Sequence, residues 1–384
     1  MDFLYKKICE LENNGNSFYY KNDNNDLNCR LMDIKPISNP NKAWNFIKEY
    51  FRAGAKEEVL IDDNIKKLKR RGKNLHTVVM YFLGILSRNL FEEKIKEKLD
   101  DLLIEHSFEY SYRYEYTWFL TCLFHDYAWI YELDNYKATE CSDFNSCFEE
   151  NLLNQFEVNY NVLNHEIKEG SDFINHYDPE IIKRYFQYRY ENNKPDHGII
   201  GGMLLFDRLK KNYKEKWNEY KKGNKEENNY FNSNYTYDYD CFELKGKTWR
   251  RDHLDHYAYI SDCIISHNIW FGKGKYIPKY KNYGLEELIE SNAEKVSINN
   301  NPLLFMLGVI DTIEPVKFFN NFNPKYVLKN IDIDIEDKLI KIKVSNSAIF
   351  NYLEWFKKIK SMEEWLEVYI KISREELKIK VKEN

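Results

Sequence analysis

A histidine followed directly by an aspartate stands in a strongly apolar segment of the chain. His125 and Asp126 lie within the sequence WFLTCLFHDYAWI, which runs from Trp118 to Ile130. An unpaired carboxylate buried in such surroundings costs several kcal/mol, so a basic side chain or a metal ion has to compensate its charge. The region supplies no lysine or arginine at helical contact spacing except Arg113, about three helical turns upstream. We therefore favour a metal ion.

Four more residues of the types that bind metals stand in apolar or small-residue surroundings that are compatible with helices. They are His76, His197, His267 and Asp311. Taken singly, each is typical of a buried polar group with a hydrogen-bond partner. Together with His125 and Asp126 they offer four imidazoles, two carboxylates and no thiolate. This donor set suits a divalent transition metal (Mn, Fe, Co, Ni or Zn), and Mg is possible but less natural for so many imidazoles.

The order of these residues resembles the HD-domain superfamily of metal-dependent phosphohydrolases. The matching residues, over about 62–320, are His76, His125, Asp126, His197, His267 and Asp311. The resemblance implies a helical HD-domain core with two metal ions per chain. By that resemblance the first ion is bound by His76, His125, Asp126 and Asp311. Asp126 would bridge to the second ion, which His197 and His267 would hold.

Two such cations also have a clear chemical use. Two ions about 3.5–4 Å apart share a water molecule, lower its pKa and clamp the attacking and leaving oxygens of a phosphoryl group. The protein then has to neutralise the non-bridging oxygens. The basic residues that flank the donors in the sequence are Arg70, Arg71, Lys73, Arg250, Arg251 and Lys317. Each is typical of solvated surface charge, but we favour Arg251 as a catalytic residue because a guanidinium contacts phosphate through two hydrogen bonds.

His256 is a candidate for donating a proton to the leaving group. It precedes His267 by eleven residues, and His253 is another turn upstream, so the three can share one face of a helix. The alternative is that the segment RRDHLDHY forms an exposed polar first turn, with Asp252 near the positive end of the helix dipole. Both interpretations stay open, and we expect the catalytic group to comprise Asp126, Arg251 and His256.

The spacing of apolar residues predicts a mainly α-helical protein. The predicted helices cover about 44–51, 64–69, 76–90, 116–133, 151–163, 179–190, 197–211, 249–270, 285–293 and 303–309. The asparagine-rich segment 221–247 predicts a long loop that is a candidate lid. The glycines at 198, 201 and 202 do not form a phosphate-binding fingerprint, and close helix packing or substrate access explains them.

The last sixty residues change in character. Segments 330–335 and 339–344 alternate between apolar and polar residues around a short turn, which predicts a β-hairpin. Helices near 348–360 and 362–368 and a final strand over 377–381 complete a small α+β unit. We therefore divide the chain into an N-terminal cap (1–60), a helical metal-binding domain (61–325) with an insertion at about 135–195, and a C-terminal α+β unit (326–384).

Composition excludes several classes of protein. The 14 glycines and 8 prolines among 384 residues are too few for an all-β architecture with frequent turns. The formal net charge of −5 gives no cationic field, which argues against nucleic acid and anionic membranes as partners. The chain shows neither the apolar core of a secretion signal nor a membrane-spanning segment, so we expect a cytoplasmic protein. The seven cysteines include no CxxC pair and are expected to be reduced, with Cys141 and Cys147 a weak zinc or disulfide candidate.

These observations predict a metal-dependent phosphohydrolase that uses a metal-activated hydroxide. The expected partner is a nucleotide or another small phosphorylated substrate, and an oligomer is possible. Two alternatives stay open: a di-iron oxygenase, which a branch of the same superfamily contains, and a non-catalytic sensor of nucleotide or metal. A nuclease is a fourth possibility that the absence of a basic stripe disfavours.

Overall fold

The computed structural model describes residues 3–14, 31, 33–53, 73–103, 114–133, 143–165, 175–192, 194–223, 241–245, 247–250, 252–345, 351–374 and 376–382. Its α-helices are α1 (Leu4–Glu12), α2 (Pro40–Ala53), α3 (Lys73–Leu86), α4 (Arg88–Leu103), α5 (Tyr114–Phe124), α6 (Trp129–Leu133), α7 (Phe144–Phe156), α8 (Pro179–Glu191), α9 (His197–Gly223), α10 (Asp252–Ser266), α11 (Ile277–Asn282), α12 (Pro302–Ile313), α13 (Pro315–Phe318), α14 (Pro324–Asn330) and α15 (Tyr352–Lys360). Its strands are β1 (Cys241–Leu244), β2 (Lys247–Arg250), β3 (Ile331–Glu336), β4 (Leu339–Val344), β5 (Val368–Ile372) and β6 (Glu376–Val381). The prediction of a mainly α-helical protein with a small C-terminal strand unit is confirmed.

Helices α3, α5 and α12 form the centre of the molecule. They are apolar on every side, and nearly all their residues are buried, which is the pattern of a helix surrounded by other helices. Helix α3 packs against α2, α5 and α12. A single contiguous apolar core includes residues from all of them.

Helices α9 and α10 pack closely along their length. A Cβ atom at Gly202 would lie 2.5 Å from the carbonyl oxygen of Ser261 in α10, and one at Gly201 would lie 2.6 Å from the carbonyl oxygen of Phe124. Both distances are too short for any side chain. Glycine is therefore required here by close packing, which is one of the two explanations that the sequence leaves open.

The predicted helix over 116–133 is divided at the histidine–aspartate pair. Helix α5 ends at Phe124, and residues 125–128 form turns before α6 begins. The His125 ring Nδ1 lies 2.8 Å from the carbonyl oxygen of Cys122, a hydrogen bond that folds the side chain back onto the end of α5. The sequence predicts that the pair lies in the middle of a helix. The structure places it at a helix terminus.

Several other predicted boundaries are corrected. Helix α9 continues to Gly223, and part of the predicted loop over 221–247 forms the hairpin of β1 and β2. The hairpin packs through Phe242 against Trp217 of α9, with ring centroids 5.2 Å apart. The predicted helix over 285–293 is only a 3-10 turn, Glu286–Leu288, and the segment 362–368 is a 3-10 turn that leads into β5. The predicted helix over 64–69 lies outside the described residues.

The C-terminal strands form one antiparallel sheet in the order β3-β4-β6-β5. The predicted hairpin is confirmed, with Ile331 paired to Val344 and Glu336 paired to Leu339. The sheet connects to the helical part through a bridge between Val296 and Leu366. No helix within the described residues has both the length and the apolar character that a membrane crossing requires.

Candidate metal centre

Six side chains meet at the ends of five helical elements. His76 lies in the first turn of α3, the pair of residues 125 and 126 follows α5, and His197 opens α9. His267 directly follows α10, and Asp311 lies in the last turn of α12. The structure therefore brings together, from more than two hundred residues of sequence, all six residues that the sequence singles out as donors.

Three of the donors form a compact group. The Nε2 atom of His76 lies 3.2 Å from Asp311 Oδ1 and 3.3 Å from His125 Nε2. The distance between the other two atoms, His125 Nε2 and Asp311 Oδ1, is 3.5 Å. Ligands that surround an ion at about 2.1 Å are about 3.0–3.4 Å apart in octahedral or tetrahedral geometry. The group has the size and chemistry of a site that can hold a metal ion.

Asp126 lies between this group and the other two histidines. Its Oδ2 atom is 3.5 Å from His76 Nε2 and 3.6 Å from His125 Nε2, whereas its Oδ1 atom is 3.6 Å from His197 Nε2. The His267 ring lies 5.3 Å from the His197 ring, measured between centroids. The two oxygens of Asp126 thus face different imidazoles: Oδ2 faces His76 and His125, and Oδ1 faces His197.

The Nδ1 atoms of all four imidazoles have hydrogen-bond partners outside the cluster. Those of His76 and His197 lie 2.8 Å from carboxylate oxygens, and those of His125 and His267 lie 2.8 and 2.5 Å from backbone carbonyl oxygens. The four acceptors, in the same order, are Glu314, Glu132, Cys122 and Ile264. A proton on each Nδ1 leaves each Nε2 lone pair available, which is the usual arrangement of metal-binding histidines.

The two outer carboxylates were not identified from the sequence. Glu314 is buried, and it also accepts hydrogen bonds from the first backbone N–H groups of α13. Its position directly before Pro315 is a helix-start signal that marks it as a cap. Glu132 is held by a salt bridge of 3.0 Å to Arg189 of α8. Nothing in the local sequence indicates that contact, because the two residues are far apart along the chain.

Two lysines neutralise the inner carboxylates. Lys73 Nζ lies 2.5 Å from Asp126 Oδ2 and 4.4 Å from the centre of the Trp129 ring. Lys317 Nζ lies 2.7 and 3.0 Å from the oxygens of Asp311 and 4.0 Å from Asp126. Basic side chains therefore compensate Asp126, although the sequence around this residue favours a metal ion in that role. Both cations come from other helices, which the local sequence around residue 126 does not show.

The charges of the cluster follow from these contacts. Burial alone would raise the carboxyl pKa values, but Lys317 and neighbouring histidines hold those of Asp126 and Asp311 well below the usual value. Burial lowers the pKa of His125, and it lowers that of His267 to about 3. The two carboxylates are thus ionised and these two imidazoles neutral, which are the protonation states that metal ligands need.

The opposite shift occurs at the two histidines with outer carboxylates. Burial opposes the charged form of each imidazole, but Asp311 and Glu314 together raise the pKa of His76. Glu132 and Asp126 do the same for His197. These two rings carry the strongest hydrogen-bond acceptors on Nδ1, which makes Nε2 more basic and a stronger donor to a cation.

His256, one of the predicted catalytic residues, is not part of this cluster. His256 is buried, and its Nε2 atom lies 2.8 Å from Thr117 Oγ1. It precedes His267 by eleven residues, which is about 16 Å along a helix, and burial lowers its pKa to about 3. A role in protonating a leaving group at the cluster does not fit that position. Arg251 lies outside the described residues, as do Arg70 and Arg71.

Other candidates from the sequence have structural partners. Arg250 forms a salt bridge of 2.7 Å with Asp252, and His165 lies 2.6 Å from Asp255. Cys147 is buried and not in a disulfide, and Cys141 lies outside the described residues.

Searches of family models, of curated proteins and of solved structures found no match to this chain.

Proposed function

We propose that this chain is a metal-dependent phosphohydrolase of the HD type, which cleaves a phosphoester or phosphoanhydride of a nucleotide or another small phosphorylated substrate. One observation carries the proposal. Four imidazoles have their Nδ1 atoms engaged by acceptors outside the cluster, and the Nε2 atoms of three of them, His76, His125 and His197, lie within 3.6 Å of Asp126.

A purely structural polar cluster would not need this arrangement. Hydrogen bonds between neutral imidazoles and carboxylates could use either ring nitrogen of each histidine, whereas a metal ion needs one unprotonated ring nitrogen from each histidine ligand, with the other nitrogen hydrogen-bonded to an acceptor. The proposed assignment places one divalent cation among His76, His125, Asp126 and Asp311, and a second among Asp126, His197 and His267. Bound divalent cations would supply Lewis acidity, which polarises a phosphoryl oxygen and lowers the pKa of water.

The lysines support an anionic substrate. Two divalent cations beside Lys73 and Lys317 would leave the site with excess positive charge, because Asp126 and Asp311 are its only inner carboxylates among the described residues. A phosphate ester brings the missing negative charge and accepts hydrogen bonds from both ammonium groups. Dioxygen is neutral and uses neither group, so this observation favours the hydrolase over the di-iron oxygenase.

The test is a metal-dependent release of phosphate or nucleoside. The purified chain is loaded with Mn, Fe, Co, Ni, Zn or Mg and assayed against nucleoside mono-, di- and triphosphates and p-nitrophenyl phosphate. We expect turnover with at least one metal, and a loss of at least about a hundredfold for His125→Gln. His256→Gln replaces another buried histidine outside the cluster and should retain activity.

Two results would contradict the proposal. One is a chain that binds metal in the expected ratio and turns over none of these substrates. The other is oxygen consumption by the iron-loaded chain with an organic substrate in the absence of phosphate release, which would indicate the oxygenase.

A further inference from the structure

A cavity separate from the metal centre lies on the Nδ1 side of His197. Its volume is about 650 Å³, which is within the range of small-molecule sites. Arg189 lines this cavity and also forms the salt bridge to Glu132, whose carboxylate is bonded to His197 Nδ1. None of the six donors is among the described residues that line it. A ligand in this cavity would therefore be separated from the donors by the Arg189–Glu132 pair.

An exposed and firmly held tryptophan forms one wall. The Trp270 side chain is 51% exposed, although apolar residues of this size are normally covered. Its backbone N–H donates to Tyr185 Oη, its carbonyl oxygen accepts from Tyr280 Oη, and its indole N–H donates to Asn268 Oδ1. The ring is thus fixed before any ligand arrives. Tyr276, which is 46% exposed, lines the same cavity.

The cavity is also cationic, although the chain as a whole is acidic. Its charged lining residues are Arg189, Lys194, Lys273, Lys279, Glu290 and Glu364. Arg189 is paired with Glu132, and Lys273 with Glu364. Within the part of the chain that the structure describes, no carboxylate pairs with Lys194 or Lys279, and the Lys279 ammonium lies 3.4 Å from a neutral amide oxygen of Asn192. Two positive charges are therefore available to an anion.

We propose that this cavity is a second binding site, for an anion of nucleotide size that carries a flat aromatic ring, such as a nucleoside monophosphate. The ring stacks on Trp270, and the phosphate lies against Lys194 and Lys279. Stacking on an aromatic side chain tolerates different bases, and an ammonium pair selects the charged ligand over the neutral one. The inference does not depend on the hydrolase activity, since it rests on the lining of a different cavity.

The position of the cavity gives its ligand a route to the metal centre. A phosphate that contacts Arg189 would compete with Glu132 for the same guanidinium, and Glu132 sets the Nδ1 hydrogen bond of His197. Asn268 forms a second link, because its amide nitrogen lies 3.3 Å from His197 Nδ1 and its oxygen accepts from the indole N–H of Trp270. Binding at the two sites is then coupled, and any effect of metal on ligand affinity equals the effect of ligand on metal affinity.

The experiment titrates AMP into the full-length chain, freed of metal with a chelator, and follows heat and tryptophan fluorescence. We expect one saturable site, with affinity at least tenfold lower for Trp270→Ala and for the double variant Lys194→Ala/Lys279→Ala. Trp270→Phe keeps an aromatic ring and should restore most of the affinity. Tyr369→Ala removes an exposed aromatic of β5 that lies outside the cavity and is the matched control.

The variant Asp126→Asn distinguishes this site from the metal centre. It should bind AMP like the unmodified chain, because Asp126 does not line the cavity. The inference is overturned if AMP shows no saturable binding, if adenosine binds as tightly as AMP, or if Asp126→Asn loses binding while Trp270→Ala retains it. Circular dichroism of each variant separates a loss of binding from a loss of fold.

Discussion

Replacing Lys317 by methionine should strengthen metal binding and weaken phosphate binding at the same site. The Lys317 ammonium lies 2.7 Å from Asp311 and 4.0 Å from Asp126, so a cation has to displace it from both carboxylates. Two unit charges 4 Å apart attract by about 4 kcal/mol at an effective dielectric constant of 20. The Lys317 side chain is 29% exposed, and water recovers part of this cost when the ammonium moves away. We take the net cost of displacing the ammonium as about one third of the attraction, roughly 1.4 kcal/mol. Removing that cost corresponds to a tenfold gain in metal affinity.

The assay is a competition titration of Mn²⁺ or Zn²⁺ against a fluorescent chelator, followed by titration of inorganic phosphate into the metal-loaded chain. Lys317→Met should bind metal about tenfold more tightly and phosphate about tenfold more weakly. Lys183→Met removes a lysine of α8 that contacts Glu180 and Asn145 and none of the six cluster residues, and it should change neither affinity. A fall in both affinities would show that Lys317 only supports the local structure, and it would refute this account of the lysines.

Three further predictions concern the outer ligands, the buried acid of α10 and the helix packing. Glu132→Gln removes the negative charge behind His197 Nδ1 and should lower metal affinity 10- to 100-fold, measured by chelator competition. Burial raises the pKa of Asp262 to about 7, so the folded state binds a proton that the unfolded state has released above about pH 4. Its contribution to the free energy of unfolding therefore falls between about pH 4 and 7, by up to about 4 kcal/mol, and Asp262→Asn should abolish that slope in urea titrations. Gly202→Ala places a methyl group 2.5 Å from a carbonyl oxygen of α10 and should cost about 2 kcal/mol or more, whereas Gly223→Ala meets nothing within 4 Å and should be neutral or slightly stabilising.

Each of these predictions has a result that would contradict it. For Glu132→Gln it is an unchanged metal affinity, with Glu191→Gln, a glutamate bonded to Tyr283 away from the donors, as the control. For Asp262→Asn it is a pH dependence of unfolding identical to that of the unmodified chain. For the glycines it is equal unfolding midpoints for the two alanine variants.

The sequence was sufficient to single out the six side chains that meet in this cluster because each interrupts an apolar helical pattern. Their convergence did not follow from periodicity, which places residues on faces but not at particular helix ends. The turn after α5 shows the limit: the hydrogen bond between the His125 ring and the Cys122 carbonyl ends the helix early, although the apolar pattern continues to Ile130.

The basic and acidic residues around the donors were harder to identify. Arg251 is favoured from the sequence for its chemistry and lies outside the described residues, whereas the cations that contact the carboxylates among the described residues are Lys73 and Lys317. The chain contains 57 basic residues, and only the three-dimensional packing of α3 and α13 distinguishes these two from the solvated ones. The C-terminal sheet was predicted closely because strict alternation over 331–344 needs no distant contact to be recognised.

The most direct test of the central claim is the metal content of the purified chain, measured by elemental analysis with the stoichiometry per chain. The account predicts two ions in the unmodified chain and the loss of both in Asp126→Ala, because one oxygen of that carboxylate faces His76 and His125 and the other faces His197. A chain that binds no divalent metal, or an Asp126→Ala variant that retains two ions, would contradict it.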